Sequence, residues 1–469
     1  MACHVNKGGT AVNTAPLDFF RRGFLFFYKG DAMFIIHSIV TTLALNLYLF
    51  LDITDFGAKL LLAVLGGIYF LAFCIFPSFS GKYGRKLKIL HCGNILLTVF
   101  LTTSVFSLIL LIAMITASEV SAKTLIINSV IVILGELILF WDGMIRVYCV
   151  STQLGIKWRV LGAVFGMIPI INVILLIKII SITGKEYRFE CAAADKNTDS
   201  ASLELCRTKY PILMVHGVFF RDTKLFNYWG RIPAKLEKNG AVIYYGNQQS
   251  AASVSDCAEE LLKRIKEIIS ETGSEKVNII AHSKGGLDAR YAISRLGADK
   301  YTASLTTVNT PHRGCLFAEY LLEKVPEKIR LGIASKYNAA LKKAGDTNPD
   351  FLAAVTDLTA SRCSELNESC PDSENVYYQS IGSKSKKASS GQFPLNLSYR
   401  FVKYFDGEND GLVSVNSMKW GSRFVFLQPQ GKRGITHGDV IDLNRQNIKG
   451  FDVRGFYAGI VNGLKQKGF

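Results

Sequence analysis

The segment VNIIAHSKGGLDARYAISRL, residues 277–296, passes from an apolar run into a helical pattern across a turn of small residues. Val277–Ile280 has the composition of a buried strand, and LDARYAISRL follows it with helical patterning. Between them, Ala281-His282-Ser283-Lys284-Gly285-Gly286 places a serine on the turn itself. A sharp strand-to-helix turn needs small neighbours, so that the serine can hold a strained backbone and expose its hydroxyl. That is the context of a nucleophile. Ala281 stands where the G-x-S-x-G pattern has its first glycine, and an A-x-S-x-G also arises by chance in glycine-rich turns.

The flanks continue the alternation. Strands are predicted at Tyr210–Val215, Ala241–Tyr245, Leu305–Thr307, Val376–Ser380, Leu397–Tyr404 and Phe424–Leu427. Ser253–Thr272 reads as a helix, with Val254, Ala258, Leu261, Leu262, Ile265, Ile268 and Ile269 at helical spacing. Strands and helices in series imply a mostly parallel sheet with helices on both faces, over residues 208–469.

Other residues fit a serine nucleophile. His216-Gly217-Val218 ends the strand PILMV, one strand–helix–strand unit before Ser283. In a sheet of this kind, the loop after that strand and the residue after the nucleophile supply the two N–H donors for an oxyanion. Here those are Val218 and Lys284. A lone His-Gly is otherwise an ordinary strand end. The base follows by elimination, because only His312 and His437 come after Ser283. His312, in NTPHRG, leaves no room for an acid strand before it. His437, in GITHGD, follows the last predicted strand and can fold back over the sheet edge. The acid then lies between Ser283 and His437. Asp410, in ENDGL, and Asp406, in FDG, both fit, although Asp-Gly is also a common turn pair.

Residues 314–372 form a long insertion with apolar residues at helical spacing, among them Leu321, Val325, Ile329 and Ile333. Extra helical packing is one reading. A lid over an acyl pocket is the functional one.

The N-terminal part is of another kind. Residues 32–51, 60–81, 89–117 and 160–177 carry no Lys, Arg, Asp or Glu, and 124–145 carries only Glu136 and Asp142. About 20 apolar residues suffice to cross the hydrocarbon core. Five transmembrane helices are expected over residues 1–185, then a linker at 186–207. The first run is too far from the start and lacks a small-residue cleavage pattern, so it reads as a retained helix. Basic residues gather in alternate connections: Arg21, Arg22 and Lys29; Lys82, Arg85, Lys86 and Lys88; Arg146, Lys157 and Arg159. This places the N-terminus in the cytoplasm and, for an odd helix count, the C-terminal domain outside. A re-entrant fifth run, which contains Pro169, would reverse that. Glu136 and His37 are ionisable groups at membrane depth. Each is either a hydrogen-bonded side chain between helices or a functional group.

The net charge is +16 and the mean hydropathy +0.23. Basic excess fits solubility, topology or anionic headgroups. No nucleic-acid partner is expected, because the basic residues are scattered and no finger or RNP pattern accompanies them. The ten cysteines show no metal spacing. Cys363 and Cys370 are spaced for a local disulfide if that domain faces an oxidising space. Unpaired thiols are the plainer expectation.

YPILMVHGVFF, FNYWGRIPAKLEKNGAVIYYGNQQSA, EKVNIIAHSKGGLDARYAIS, LTTVNTPHRG, NDGLVSVNSMKWG and GITHGDVIDL together resemble the bacterial triacylglycerol lipases of the α/β-hydrolase fold. The resemblance covers Tyr210–Phe469. It implies a nucleophile at Ser283, an acid at Asp410, a base at His437 and oxyanion donors at Val218 and Lys284. It also implies a structural calcium ion at Asp439, two residues after the histidine, with no second aspartate placed. No family is evident for residues 1–185.

The expected protein is therefore an α-helical transmembrane bundle followed by an α/β-hydrolase domain with a helical lid insertion. Its expected chemistry is cleavage of carboxylic esters, of lipids given the membrane helices, with no required cofactor. An acyltransferase or phospholipase on the same triad is a second expectation. A membrane scaffold or transporter with a degenerate hydrolase domain is a third.

Overall fold

The computed structural model describes residues 32–49, 56–78, 83–117, 120–166, 168–201, 204–218, 227–428 and 431–469. The chain divides into two compact units, Met1–Ala192 and Ala193–Phe469.

The first unit is helical: α1 Ala32–Leu45, α2 Phe56–Ile75, α3 Arg85–Ala117, α4 Ala122–Val150, α5 Gly155–Phe165 and α6 Pro169–Ala201. Among the described residues, α2, α3 and α4 are long and apolar enough to cross a membrane. The first apolar run gives only the 14-residue α1. The fifth is divided between α5 and α6, which starts at Pro169 because proline there sacrifices no helical hydrogen bond. The stretch expected as a linker is helical as far as Ala201, since α6 runs through it. Small residues let α3 and α4 approach closely. A Cβ on Gly93 would stand 2.8 Å from Cβ of Arg146, and one on Gly143 would stand 2.7 Å from Cγ of Leu97. Some polar side chains inside the bundle find partners: Asn94 Nδ2 donates to Ile180 O at 2.9 Å and Thr183 Oγ1 at 2.7 Å. His37 Nδ1 lies 3.0 Å from the Tyr69 hydroxyl.

In the second unit, β1 Ile212–Val215, α7 Ile232–Lys238, β2 Ile243–Tyr245, α8 Val254–Thr272, β3 Val277–His282, α9 Gly285–Arg295 and β4 Thr302–Val308 follow in order. Then come α10 Leu316–Lys324, α11 Glu327–Ala344, α12 Phe351–Thr356 and α13 Ala360–Ser369. The chain closes with β5 Tyr377–Ser383, α14 Leu395–Asp406, α15 Val415–Met418, β6 Arg423–Leu427 and α16 Val453–Gln466. The six strands form one parallel sheet, ordered β2-β1-β3-β4-β5-β6.

Alternation along the central strands builds two cores. Ile212, Met214 and Ile280 join Trp229, Ile441 and Tyr457 on one face. Leu213, Val215 and Ile279 join Ile265, Ile268 and Ala289 on the other. Both faces are covered, so β1 and β3 are buried throughout; β1 is wholly apolar, and β3 is apolar apart from Asn278 and His282. Helix α8 is held at both ends. Ser253 accepts from Asp256 N, and Gly273 closes the helix at φ +67.

One expected strand is corrected. Leu397–Tyr404 lies within α14. Its alternating apolar residues suggest period two, but Tyr399 and Val402 form the buried face at helical spacing, while Leu397, Phe401 and Tyr404 stay exposed.

Candidate active site

Ser283 sits between β3 and α9 with φ +55, in the left-handed region that non-glycine residues avoid. Its N–H donates to Val308 O at 3.0 Å, and its C=O accepts from Gly286 N at 3.1 Å, so neighbouring chain holds the strained residue in place. Glycine is required around it. A Cβ on Gly217 would stand 2.8 Å from Cβ of Ser283. A Cβ on Gly285 would collide with His216 O, and one on Gly286 with the Thr310 side chain.

Two backbone amides face no competition. Among the described residues, neither Val218 N–H nor Lys284 N–H donates to another group. Lys284 is also the N-cap of α9, where helix amides carry partial positive charge. Its ammonium points away, to Asp288 Oδ1 at 2.7 Å in a pair that is almost wholly buried. Burial opposes charge on that ammonium, but Asp288 beside it holds its pKa above the ordinary lysine value.

The loop after β1 is tied to the turn by Tyr228. Its hydroxyl accepts from Gly217 N at 3.0 Å and lies 2.6 Å from His282 Nδ1. His282 is fully buried. Burial, with His437 nearby, holds its pKa well below the usual imidazole value, so it is neutral.

Asp410 and His437 meet. His437 Nδ1 lies 2.6 Å from Asp410 Oδ2, and His437 N donates to Asp410 O at 3.0 Å. Asp410 is wholly buried. Its Oδ1 accepts from Leu412 N at 2.9 Å and Val413 N at 2.8 Å. Its Oδ2 also accepts from Asn309 Nδ2 at 2.7 Å. These donors balance the desolvation of the carboxylate and fix its orientation. The His437 ring lies 4.4 Å from the ring of His282, the residue immediately before Ser283. Ser283, Asp410 and His437 thus gather at the C-terminal end of the parallel strands, where open α/β sheets bind ligands.

The alternatives lie elsewhere. Asp406 accepts from Leu316 N at 3.1 Å and Phe317 N at 3.3 Å, so it caps α10. His312 is buried against Thr307 Oγ1, 3.0 Å away, and stacks on Trp420. Cys363 and Cys370 are buried free thiols rather than a disulfide, and Cys363 Sγ donates to Pro311 O at 3.4 Å.

Asp439 does not fit a calcium ion. Its carboxylate is taken by Arg433, at 2.5 Å and 3.0 Å, and by Thr436 N at 2.9 Å. A guanidinium already neutralises it. Among the described residues, no three His, Cys, Asp or Glu side chains stand together as metal ligands. What the carboxylate does here is brace the loop on either side of His437.

Asn309 and Tyr228 were not singled out from the sequence. Asn309 follows β4 at φ +47 and bridges Asp410 to Ser383 Oγ. An Asn directly after a buried strand was its only local signal. Tyr228 had none.

Parts of the second unit are similar to known proteins. Residues 212–367 match the family described as "Putative serine esterase (DUF676)". Triacylglycerol lipase from Pseudarthrobacter phenanthrenivorans is 34% identical over 177 residues, 35% of this chain and 54% of its own. Triacylglycerol lipase 2 from Saccharomyces cerevisiae is 29% identical over 264 residues, 52% of this chain and 74% of its own. The crystal structure of Staphylococcus hyicus lipase superposes with TM-score 0.44 at 19% identity, over 55% of this chain and 96% of its own. The chain spans about half the length of the bacterial relatives it matches first. Over residues 212–367 the second unit is thus similar to serine esterases, and its parallel sheet flanked by helices is an α/β-hydrolase architecture.

Proposed function

We propose that the second unit is a serine hydrolase that cleaves carboxylic esters of lipids through an acyl-enzyme. The observation that carries this is the strained Ser283 turn beside a histidine whose Nδ1 is held by a buried, four-times hydrogen-bonded aspartate. Ser283 Oγ attacks the ester carbonyl carbon as His437 Nε2 takes its proton. Asp410 keeps the proton on Nδ1 and stabilises the imidazolium. The carbonyl oxygen becomes negative and rests on the N–H groups of Val218 and Lys284. One such donor is worth about 10²–10³ in rate. His437 protonates the leaving alcohol, and water then releases the acid.

A lipid substrate is supported by the insertion. Leu316, Tyr320, Leu321, Ile329, Leu331 and Ile333 are exposed on α10 and α11. Exposed apolar side chains on these helices suit an acyl chain or a lipid interface. In this reading α2, α3 and α4 anchor the protein in a bilayer. An odd number of crossings from a cytoplasmic N-terminus places the hydrolase outside.

Labelling with a fluorophosphonate probe tests the nucleophile. Wild type is expected to label and Ser283→Ala not to label, with hydrolysis of short-chain nitrophenyl esters falling about 10⁶-fold. Undiminished hydrolysis by Ser283→Ala would sink the reading. An impermeant probe that labels only lysed cells would turn the hydrolase towards the cytoplasm.

A further inference from the structure

The turn between α11 and α12 meets the loop that joins β2 to α8, residues 246–253. Asp346 is only 4% exposed, and its carboxylate accepts from Ser250 N at 3.1 Å and from Ser250 Oγ at 2.5 Å. Asn348 N donates to Gln249 Oε1 at 2.6 Å, and Asp350 N to Ala251 O at 2.6 Å. Beyond α12, Asp357 Oδ2 accepts from Val254 N at 2.6 Å. These bonds fasten the start of α8, and the loop before it, to the insertion.

The same loop supports both residues whose amides face the oxyanion. His216 Nε2 lies 3.0 Å from Gln248 O, and Gln248 Nε2 donates to His216 O at 3.1 Å, two residues before Val218. The Val218 side chain packs against the cluster of Ala251, Leu341 and Ala354, the last two from α11 and α12. Lys284 Nζ reaches Ser253 O, 3.4 Å away, besides its bond to Asp288.

An oxyanion donor is effective when it is aimed before the charge develops, so that nothing must reorient during the reaction. Val218 lies in a loop beyond its strand, where no sheet ladder fixes the backbone. Its support is residues 248–251, and the buried carboxylate of Asp346 holds the middle of that stretch.

We propose that Asp346 is a positioning residue: by holding Ser250 it fixes the loop that aims the Val218 and Lys284 amides at the oxyanion. It acts through that loop and does not touch the reacting atoms. This rests on the ester-hydrolase reading above, and gives the insertion a part in the chemical step.

The test uses the full chain in detergent, with kcat expressed per active site by fluorophosphonate titration. On nitrophenyl butyrate, D346A is expected to lose about tenfold or more in kcat, with KM changed less than about threefold. A trifluoromethyl ketone reports on the oxyanion directly. Ser283 Oγ adds to its carbonyl carbon, the proton passes to His437, and the ketone oxygen becomes the anion. Its affinity should weaken in step with kcat/KM. D346N keeps an oxygen for Ser250 N and an N–H for Ser250 Oγ, so it should stay within about fivefold of wild type. A loss in D346N as large as in D346A overturns the hydrogen-bonding account. A purely structural aspartate would lower the active fraction or the thermal midpoint but leave kcat per active site unchanged, and that result overturns the proposal. If D346A does not fold, S250A decides. It removes the Oγ link alone, and an unchanged kcat overturns the role, while a fall of about threefold or more at constant KM supports it. Absence of Ser283-dependent hydrolysis in wild type would overturn the hydrolase reading and this one with it; an unimpaired D346A beside an active wild type overturns only the positioning role.

Discussion

Two buried carboxylates, one in each unit, are treated in opposite ways. Asp410 accepts from Leu412 N, Val413 N, Asn309 Nδ2 and His437 Nδ1. Glu136, nearly as buried, makes no hydrogen bond of ordinary geometry with any described residue and has only the hydroxyls of Thr103 and Ser104 as nearby donors. A carboxylate surrounded by donors is held in one orientation and one charge state, which suits a group that must fix an imidazole tautomer. A carboxyl with only two neutral hydroxyls near it is held far less firmly. The contrast teaches that burial alone says little about a charged group; its donors say what it is for.

The contrast makes graded predictions. The largest effect is expected at Asp410. Asp410→Asn keeps the shape but favours the wrong histidine tautomer, so kcat on a nitrophenyl ester should fall about 10⁴-fold. A loss under tenfold would break the comparison. Next is Asn309→Ala, which removes one charge-assisted hydrogen bond of about 1.5–3 kcal/mol. It should lower kcat by roughly tenfold to a hundredfold with KM little changed.

Asp439 is an intermediate case, a buried carboxylate answered by one guanidinium. Arg433→Ala strips its charged partner and should destabilise the second unit by about 1–3 kcal/mol, seen as a lower thermal midpoint. Added calcium should not restore it; restoration by calcium would mean that the aspartate can bind metal after all.

Buried bases extend the comparison. His282 and His312 are held well below the usual imidazole pKa, first by burial. Below about pH 6.5 the unfolded chain binds protons that the folded one refuses. Stability is thus full above pH 6.5 and is lost as the pH falls towards the folded values, by up to about 1.4 kcal/mol per pH unit for each histidine. The thermal midpoint of the full chain in detergent should fall between pH 6.5 and 5, and His312→Gln should flatten that fall. An equally steep fall in the variant would remove His312 from the account. The smallest effect is expected at Glu136. Glu136→Gln should leave the thermal midpoint unchanged or raise it slightly, because the acid has no charged partner to lose and the amide oxygen can still accept from the Thr103 and Ser104 hydroxyls. A large drop would mean that Glu136 is a paired structural group like Asp410.

Much of the catalytic end was legible because its signals are local. The Ser283 turn needs small residues within four positions, and two glycines follow it. The buried β1 is an uninterrupted apolar run, while β3 and β4 carry Asn278 and several Thr and Ser residues. Leu397–Tyr404 was misread because a short, aromatic-rich run alternates in sequence whether or not a sheet pairs with it. Asp406 and Asp410 could not be separated by spacing, since both precede glycine. The resemblance favoured Asp410, and the fold gives the physical reason: the Asp406 carboxylate caps α10, while Asp410 reaches His437.

By itself the chain sequence determined two unlike parts, an apolar helical one and a strand–helix series, and the serine turn within the second. Hydrophobic periodicity and backbone sterics act over a few residues, so they are written in neighbouring letters. Only the tertiary structure decided which groups share a proton or a carboxylate. Asn309 and Asp410 are 101 positions apart, and so no local pattern could couple them. Arg433 at Asp439, and the lack of a charged donor at Glu136, are likewise decided by what the packed chain brings within hydrogen-bond reach.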